Sequence, residues 1–170
     1  MKKKIILFIL LFVSLCSLAE AQGKAQWPVS YRRGYRADIQ TGVVLNLNGP
    51  SYVMTTSHGY SFGNGIFIGA GTGLYVDTFA MGKNDVQYQI PVFAELKYNL
   101  TAGPVSPFVS VKAGGLYDCT LNSPGYMVRP SVGVDLWRVS ISVGWDRTMY
   151  KYLGGMTGKS NVYIGLSCNF

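Results

Sequence analysis

The chain contains one histidine, His58, which directly follows Ser57. A serine hydrolase needs a hydroxyl nucleophile, an imidazole base and an acid gathered at one place. Adjacent residues of a β-strand point to opposite faces, so these two side chains cannot form a nucleophile–base contact directly. Glu95 is a candidate acid, but nothing in the sequence places it near His58. The pattern therefore predicts a structural or interfacial histidine and no catalytic residues.

Metal and cofactor sites have no sequence support either. Cys119 and Cys168 lack the C-x-x-C spacing, and one histidine is too few to complete a typical zinc site. Glycine alternates with other residues over Gly69–Gly73, which differs from the G-x-G-x-x-G pattern of a phosphate-binding loop. We therefore expect no metal and no cofactor, and we expect both cysteines to be free.

The first residues have the features of a secretory signal peptide. Lys2–Lys4 form a positive start, Ile5–Leu15 an apolar run, and Ala19–Ala21 a small-x-small cleavage site. The apolar run is too short for a transmembrane helix. The sequence thus predicts three segments: a signal peptide at 1–21, a periplasmic lead-in at 22–33 and a β-barrel at 34–170.

The composition of the remaining chain argues against nucleic-acid binding. Removing three lysines and one glutamate with the signal peptide, from 15 basic and 8 acidic residues, leaves 12 and 7, a net charge of +5. These positive residues are scattered singly or in pairs such as Arg32-Arg33, whereas a nucleic-acid site usually clusters them. Charged residues make up 14% of the chain, against about 25% in soluble domains. Few charges with many glycines and aromatics favour a membrane barrel.

Apolar and polar side chains alternate along the final segment, Asn161–Phe170. A period of two indicates a strand with one apolar and one polar face, and about ten residues suffice to cross a bilayer. The same pattern recurs earlier, although Val53 and Met54 make the facing of the second strand ambiguous. The eight predicted strands are 35–46, 52–60, 66–77, 86–98, 109–114, 128–136, 139–146 and 161–170.

These strands predict an all-β fold, an eight-stranded antiparallel up-and-down transmembrane β-barrel with a polar lumen filled by side chains. In lipid every backbone polar group must be paired within the protein, so a sheet must close on itself. A soluble sandwich or lipocalin-like barrel with reversed faces is the alternative, but tyrosines at strand ends and the near absence of charge on the apolar faces favour lipid. The outer connections are expected at 47–51, 78–85, 118–125 and 147–160, and the inner ones at 61–65, 99–106 and 137–138.

The polar faces of the predicted strands carry four positive and four negative side chains. Buried charges must be paired, and the lumen of an eight-stranded barrel is narrow enough for side chains to fill it. We therefore expect a salt-bridged plug, with a narrow polar path for solutes as the alternative. The predicted lumen charges are Arg36, Asp38, Glu95, Lys97, Lys112, Arg129, Asp135 and Asp146.

Several segments resemble a known family. They are Ser57–Tyr60 through Gly69–Gly73, Ile90–Asn99, Pro107–Val109 and Pro130–Gly133. These segments are similar to the small outer-membrane β-barrel domain proteins of gut anaerobes, porin-family barrels with OmpA/OmpX-like architecture. The resemblance covers about residues 33–170. It implies a C-terminal signal read by the barrel-assembly machinery, formed by Tyr163, Gly165, Leu166, Cys168 and Phe170.

The pattern and the resemblance together suggest an integral outer-membrane protein of the Gram-negative cell envelope. Its expected role is non-enzymatic, either structural or in surface interactions through exposed loops. The expected partners are outer-membrane lipid and lipopolysaccharide, with the barrel-assembly machinery during insertion and no nucleic acid. A narrow pore for small solutes or ions is the main alternative, and a lipid-modifying barrel enzyme is the second. No motif in the loops identifies a surface ligand.

Overall fold

A computed structural model describes residues 31–46, 49–78, 86–152 and 155–170, without the side chains of 151–157. The predicted signal peptide, and the predicted lead-in as far as residue 30, lie outside the described residues. The described chain consists almost entirely of strands, and no helix within it is long and apolar enough to span a membrane.

Eight antiparallel strands close into a barrel in which each strand pairs with the next and the last pairs with the first. This arrangement confirms the predicted all-β, up-and-down, eight-stranded fold. The strands are β1 Arg33–Asn46, β2 Gly49–Phe62, β3 Ile66–Asp77, β4 Gln87–Asn99, β5 Val105–Asp118, β6 Ser123–Leu136, β7 Val139–Tyr152 and β8 Gly155–Asn169.

The register of the strands sets the stagger of the barrel. Following paired residues once around the wall from Gly34 leads back to Val44 on the same strand, a displacement of ten residues. A stagger of this kind tilts the strands relative to the barrel axis. The path runs through Gly34, Ser61, Phe67, Lys97, Ser110, Ser131, Gly144, Tyr163 and Val44.

The outer surface is apolar and the interior is charged, as expected for a barrel in lipid. Val92 is 64% exposed and Val132 is 59% exposed, whereas Arg36 is 2% exposed and Arg129 is 1% exposed. A soluble barrel would bury the apolar set and expose the charged one, since its core must exclude water. These exposures argue against the soluble alternative.

Aromatic side chains ring both ends of this apolar belt. We call the end where β1 begins and β8 ends the terminal end, and the opposite end the loop end. Tyrosine and tryptophan favour the interface between acyl chains and headgroups, so the two rings are consistent with a membrane-spanning belt. The exposed aromatics of these rings are Tyr35, Tyr60, Phe62, Tyr98, Trp137 and Phe170 at the terminal end, and Tyr52, Tyr88, Tyr117 and Tyr126 at the loop end; Trp145 of β7 is also exposed.

The predicted outer connection at 147–160 is wrong, because β7 and β8 continue through most of it as a paired hairpin. Thr148 pairs with Lys159, and burial still alternates along β7 through Thr148 and Tyr150. Both faces of this extension carry polar residues, so the contrast in hydropathy that marks a strand is lost there. The strands also lengthen into the predicted connections at 118–125 and 99–106, which shorten to 119–122 and 100–104.

The structure also resolves the ambiguous facing of β2. Val53 points inward and is 2% exposed, whereas Met54 points outward. Ser57 is likewise inside and His58 outside, which agrees with the prediction that these neighbours lie on opposite faces.

The two described cysteines differ in accessibility, which gives a test of topology. Cys119 is exposed in the connection after β5, and Cys168 is buried in β8; neither forms a disulfide. We expect a membrane-impermeant maleimide to label intact cells at Cys119 and to add one label per folded chain by mass spectrometry. Cys119→Ser should abolish this label and Cys168→Ser should leave it unchanged. Labelling of Cys168 on intact cells would contradict the arrangement.

Candidate functional site

The structure places all eight predicted lumen charges inside the barrel. None of them is more than 4% exposed, because each lies at an inward-facing position of its strand. Seven of the eight join four ion pairs: Arg36–Asp135, Lys97–Asp135, Lys112–Glu95 and Arg129–Asp146. The eighth, Asp38, joins none of the ion pairs found among the described residues.

The first charge cluster lies near the terminal end and is centred on Asp135 of β6. Its carboxylate accepts a hydrogen bond from Lys97 at 2.8 Å and lies 3.6 Å from Arg36, which is on a distant strand. Asn99 donates to the same carboxylate at 2.7 Å, and Arg36 donates to Asn169 at 2.6 Å. The cluster therefore joins β1, β4, β6 and β8 across the lumen.

The second cluster lies in the middle of the barrel. Lys112 is 3.4 Å from Glu95 and donates a 2.8 Å hydrogen bond to Gln40, which lies across the lumen on β1. Ser57 donates to Glu95 from β2. Beside this cluster, Asp38 Oδ1 has no hydrogen-bond partner among the described residues, although the side chain is buried.

The third cluster lies in the lumen on the side of the loop end. Arg129 pairs with Asp146 at 3.3 Å, donates to the hydroxyl of Tyr75, and has its guanidinium carbon 4.0 Å from the centroid of the Tyr163 ring. Buried apolar side chains surround it, and we call them the collar. The collar consists of Val44, Val53, Tyr75, Phe93, Met127 and Tyr163.

Each of the four predicted lumen cations lies over an aromatic ring, at distances typical of cation–π contacts. These rings were not predicted from the sequence, because only the charged residues on the polar face of each strand were considered as lumen residues. The available signal was the occurrence of large aromatic residues on otherwise polar or glycine-rich faces. The pairs are Arg36 with Phe67, Lys97 with Phe108, Lys112 with Phe93, and Arg129 with Tyr163.

Glycines provide the space in which these rings lie. A Cβ at Gly71 would approach Phe93 Cζ to 2.7 Å, and one at Gly133 would approach Phe108 Cζ to 2.6 Å. Gly165 and its β1 neighbour Gly42 leave the same space beneath the ring of Tyr163. The predicted glycine-rich interior face therefore seats aromatic rings on glycine, with a cation close to each ring.

A polar pocket lies beyond the collar, at the loop end of the lumen. Lys159 of β8 donates a 2.9 Å hydrogen bond to Asp77 of β3 across its mouth. The pocket contains about 310 Å³ of empty space, including the part that is open to solvent. Sequence reasoning missed it because Lys159 falls in the segment predicted as a loop. Its other lining residues are Val44, Asn46, Ser51, Tyr75, Gln89, Asp146, Thr148 and Asn161.

The structure separates the three residues first considered for catalysis. Ser57 and Glu95 contact each other in the lumen, whereas His58 lies on the outer surface. There, Thr56 donates its hydroxyl hydrogen to the carbonyl of Asp38 at 3.0 Å, so it can serve His58 Nε2 only as an acceptor, at 3.1 Å. A neutral imidazole that donates from Nε2 then has Nδ1 as its acceptor, and the Tyr35 hydroxyl lies 2.6 Å from Nδ1. In this arrangement His58 does not act as a base toward Thr56.

No metal site appears in the described part of the chain, where no group of three or more His, Cys, Asp or Glu could hold an ion. The residues proposed as the assembly signal divide between the two sides of β8. Tyr163 and Gly165 face the lumen, Leu166 and Phe170 are on the outer surface, and Cys168 is buried.

Comparison with known proteins identifies the fold. No family model and no curated protein matches the sequence. The structure of the outer membrane enzyme PagL is 12% identical and has a TM-score of 0.58, covering 77% of this chain and 98% of that chain. The Yersinia pestis outer membrane protein Ail is 10% identical and has a TM-score of 0.50, covering 81% of this chain and 100% of that chain. The chain therefore has the fold of the small eight-stranded outer-membrane barrels.

Proposed function

We propose that this chain is an integral outer-membrane barrel without enzymatic activity, which serves a structural and surface-interaction role in the Gram-negative cell envelope. The apolar belt and its aromatic rings support membrane insertion, and the connections at the loop end would meet the exterior. The observation that carries the proposal is the filled lumen at the collar, where Arg129 lies between Tyr163 and Tyr75. A filled lumen leaves the outer surface, the connections and the pocket at the loop end as the parts available for function.

The collar opposes a transport role on energetic grounds. A passing ion would have to displace Arg129 from Asp146 and from two aromatic rings. Leaving one member of a buried ion pair without its partner costs about 3–5 kcal/mol, since neither charge can be solvated there. Such a barrier supports a structural plug over an open path.

Planar-bilayer recording tests this proposal. We expect the purified protein to give no stepwise current, because the collar is closed. As a positive control, Arg129→Ala combined with Asp146→Ala removes both charges together and widens the collar, and it should show measurable steps. Heat-modifiable migration on gels would verify that both proteins are folded. Stepwise current from the unaltered protein would favour the pore.

A narrow pore remains the second candidate, because one feature favours it. Buried side-chain atoms without protein partners among the described residues lie on the terminal side of the collar, at Arg36 and Asp38, and also at the collar, at Arg129 Nε and Nη1 and the Tyr163 hydroxyl. Buried polar atoms of this kind are usually satisfied by ordered water. Together with the pocket at the loop end, such waters would form a hydrated path along the lumen.

The absence of catalysis is also part of the proposal. Ser57 and Glu95 are enclosed in the lumen, and Thr56 directs its hydroxyl hydrogen away from His58. The hydrogen bonds of His58 instead tie the outer face of β2 to Tyr35 on β1. We therefore assign His58 a role on the membrane-facing surface.

We also propose partners for insertion and residence: outer-membrane lipid, lipopolysaccharide and the barrel-assembly machinery. Tyr163 and Gly165 face the lumen once the barrel has closed, whereas Leu166 and Phe170 lie outside. A receptor that reads all of them must therefore bind the C-terminal strand before closure.

A further inference from the structure

The charged side chains on the described surface are all positive. Every described acidic side chain is buried, namely Asp38, Asp77, Glu95, Asp118, Asp135 and Asp146. Arginines remain exposed at both ends of the barrel: Arg32 and Arg33 at the terminal end and Arg147 toward the loop end. Such a surface is complementary to anionic lipid headgroups.

One of these arginines is held in place at the level of the exposed aromatic side chains of the terminal end. Arg33, the first residue of β1, donates from Nε to the hydroxyl of Tyr60 on β2 at 3.2 Å. This contact leaves the two terminal nitrogens of the guanidinium available, and these nitrogens can bind a phosphate with two parallel hydrogen bonds.

A second polar group lies immediately farther into the membrane on the same two strands. His58 precedes Tyr60 by two residues, which is about 7 Å along a strand. It is exposed on the lipid-facing surface, stacks with Tyr35 at a centroid distance of 6.2 Å, and is hydrogen-bonded to it at 2.6 Å. A polar side chain in this position is costly against acyl chains, but it is favourable where lipid ester groups lie.

We propose that the outer surface of β1 and β2 at the terminal end binds one anionic glycerophospholipid. Arg33, positioned by Tyr60, binds the phosphate, and the Tyr35–His58 pair lies beside the ester carbonyls. The order of the groups along the strands matches the order in the lipid, in which the glycerol separates the phosphate from the esters. The site uses side chains that the lumen and the collar do not involve.

Native mass spectrometry of the full mature chain, released from detergent with one added lipid, tests the site. The probes are dioleoylphosphatidylglycerol and, as the neutral comparison, dioleoylphosphatidylcholine. Both lipids carry a phosphate, but the choline cation neutralises it in phosphatidylcholine, so we expect about tenfold higher retention of phosphatidylglycerol. Arg33→Ala should lose about tenfold of this retention, which corresponds to the free energy of a charge-assisted contact. Tyr60→Phe should give a smaller loss, because Arg33 keeps its charge but loses its anchor.

Two further variants distinguish binding at this site from nonspecific electrostatic attraction of the anionic lipid to the basic surface. Arg147→Ala removes an exposed arginine toward the other end and should retain phosphatidylglycerol as the unaltered protein does. His58→Ala should reduce the retention of both lipids equally, since both carry the same esters. Heat-modifiable migration checks the folding of each variant. Equal retention of the two lipids by the unaltered protein, or equal losses in Arg33→Ala and Arg147→Ala, would overturn the proposal.

Discussion

Gly165→Ala is expected to lower the free energy of unfolding by about 2–3 kcal/mol, toward the upper part of the range for overpacking a filled interior. A Cβ at this position would lie 2.5 Å from Tyr163 Cζ, and the ring is fully buried, with Arg129 above it. Gly115→Ala provides a matched control, since no atom lies within 4 Å of its Cβ position. Urea unfolding in lipid vesicles, followed by gel mobility, measures both variants.

A double-mutant cycle shows whether a clash with the Tyr163 ring causes the loss of stability in Gly165→Ala. All three atoms nearest to the new Cβ belong to the side chain of Tyr163. Gly165→Ala should therefore cost little when Tyr163→Ala is already present, and the two changes should couple by more than about 1 kcal/mol. Strictly additive losses would show that the ring does not clash and that the packing in the collar is looser than described.

The second large effect is expected for Arg129→Met, which should destabilise the barrel by about 3–5 kcal/mol. The substitution leaves the Asp146 carboxylate buried without the cation that lies 3.3 Å away in the native barrel. The Tyr75 hydroxyl donates to Asp146 at 3.5 Å. Adding Asp146→Asn removes the unpaired charge and keeps this acceptor, so most of the loss should be recovered. Urea unfolding in vesicles measures each variant.

Arg147, which follows Asp146 on β7, provides the control for the substitution of Arg129. It is exposed on the outer surface of β7, and Arg147→Met should change stability by less than about 0.5 kcal/mol. If Arg129→Met also changes the free energy of unfolding by less than about 0.5 kcal/mol, another group must satisfy the Asp146 carboxylate. The stability of the collar would then not depend on the ion pair.

The number of strands and the inward facing of the eight charges could be predicted from sequence. Both follow from the period of two, which is a local property of each strand. Arg36 and Glu95 were assigned to the lumen in this way, and both are buried there. Local alternation alone did not distinguish a membrane barrel from a soluble one, and the tyrosines at the strand ends were needed to favour lipid.

The partners of those charges could not be predicted. Lys112 meets Gln40 across the lumen because eight ladders, each with its own register, add up to a stagger of ten residues. No single stretch of sequence encodes that sum. Asp38 was expected to be paired like the others, yet it joins none of the described ion pairs. The inward facing of a side chain alone does not determine whether it finds a partner of opposite charge.

The outer end of the β7–β8 hairpin was missed for a different reason. Segments above the membrane have no apolar face, so their alternation is visible in burial and not in hydropathy. The aromatic rings over glycine were missed because size, and not polarity, determines their place. Phe93 on a polar face has no explanation in a one-dimensional pattern, but it has one once Gly71 lies beneath it.

The ladder that closes the barrel joins Asp38–Leu45 to Val162–Asn169, whereas β1 and β2 pair along their whole lengths. The final ladder is therefore shorter, and it brings together residues from nearly opposite ends of the chain. Its formation must await the synthesis of the whole polypeptide and overcome the largest loss of chain entropy of any ladder. The β1–β8 junction is thus where we locate the kinetic bottleneck of maturation, and where mechanical or chemical stress should open the wall first.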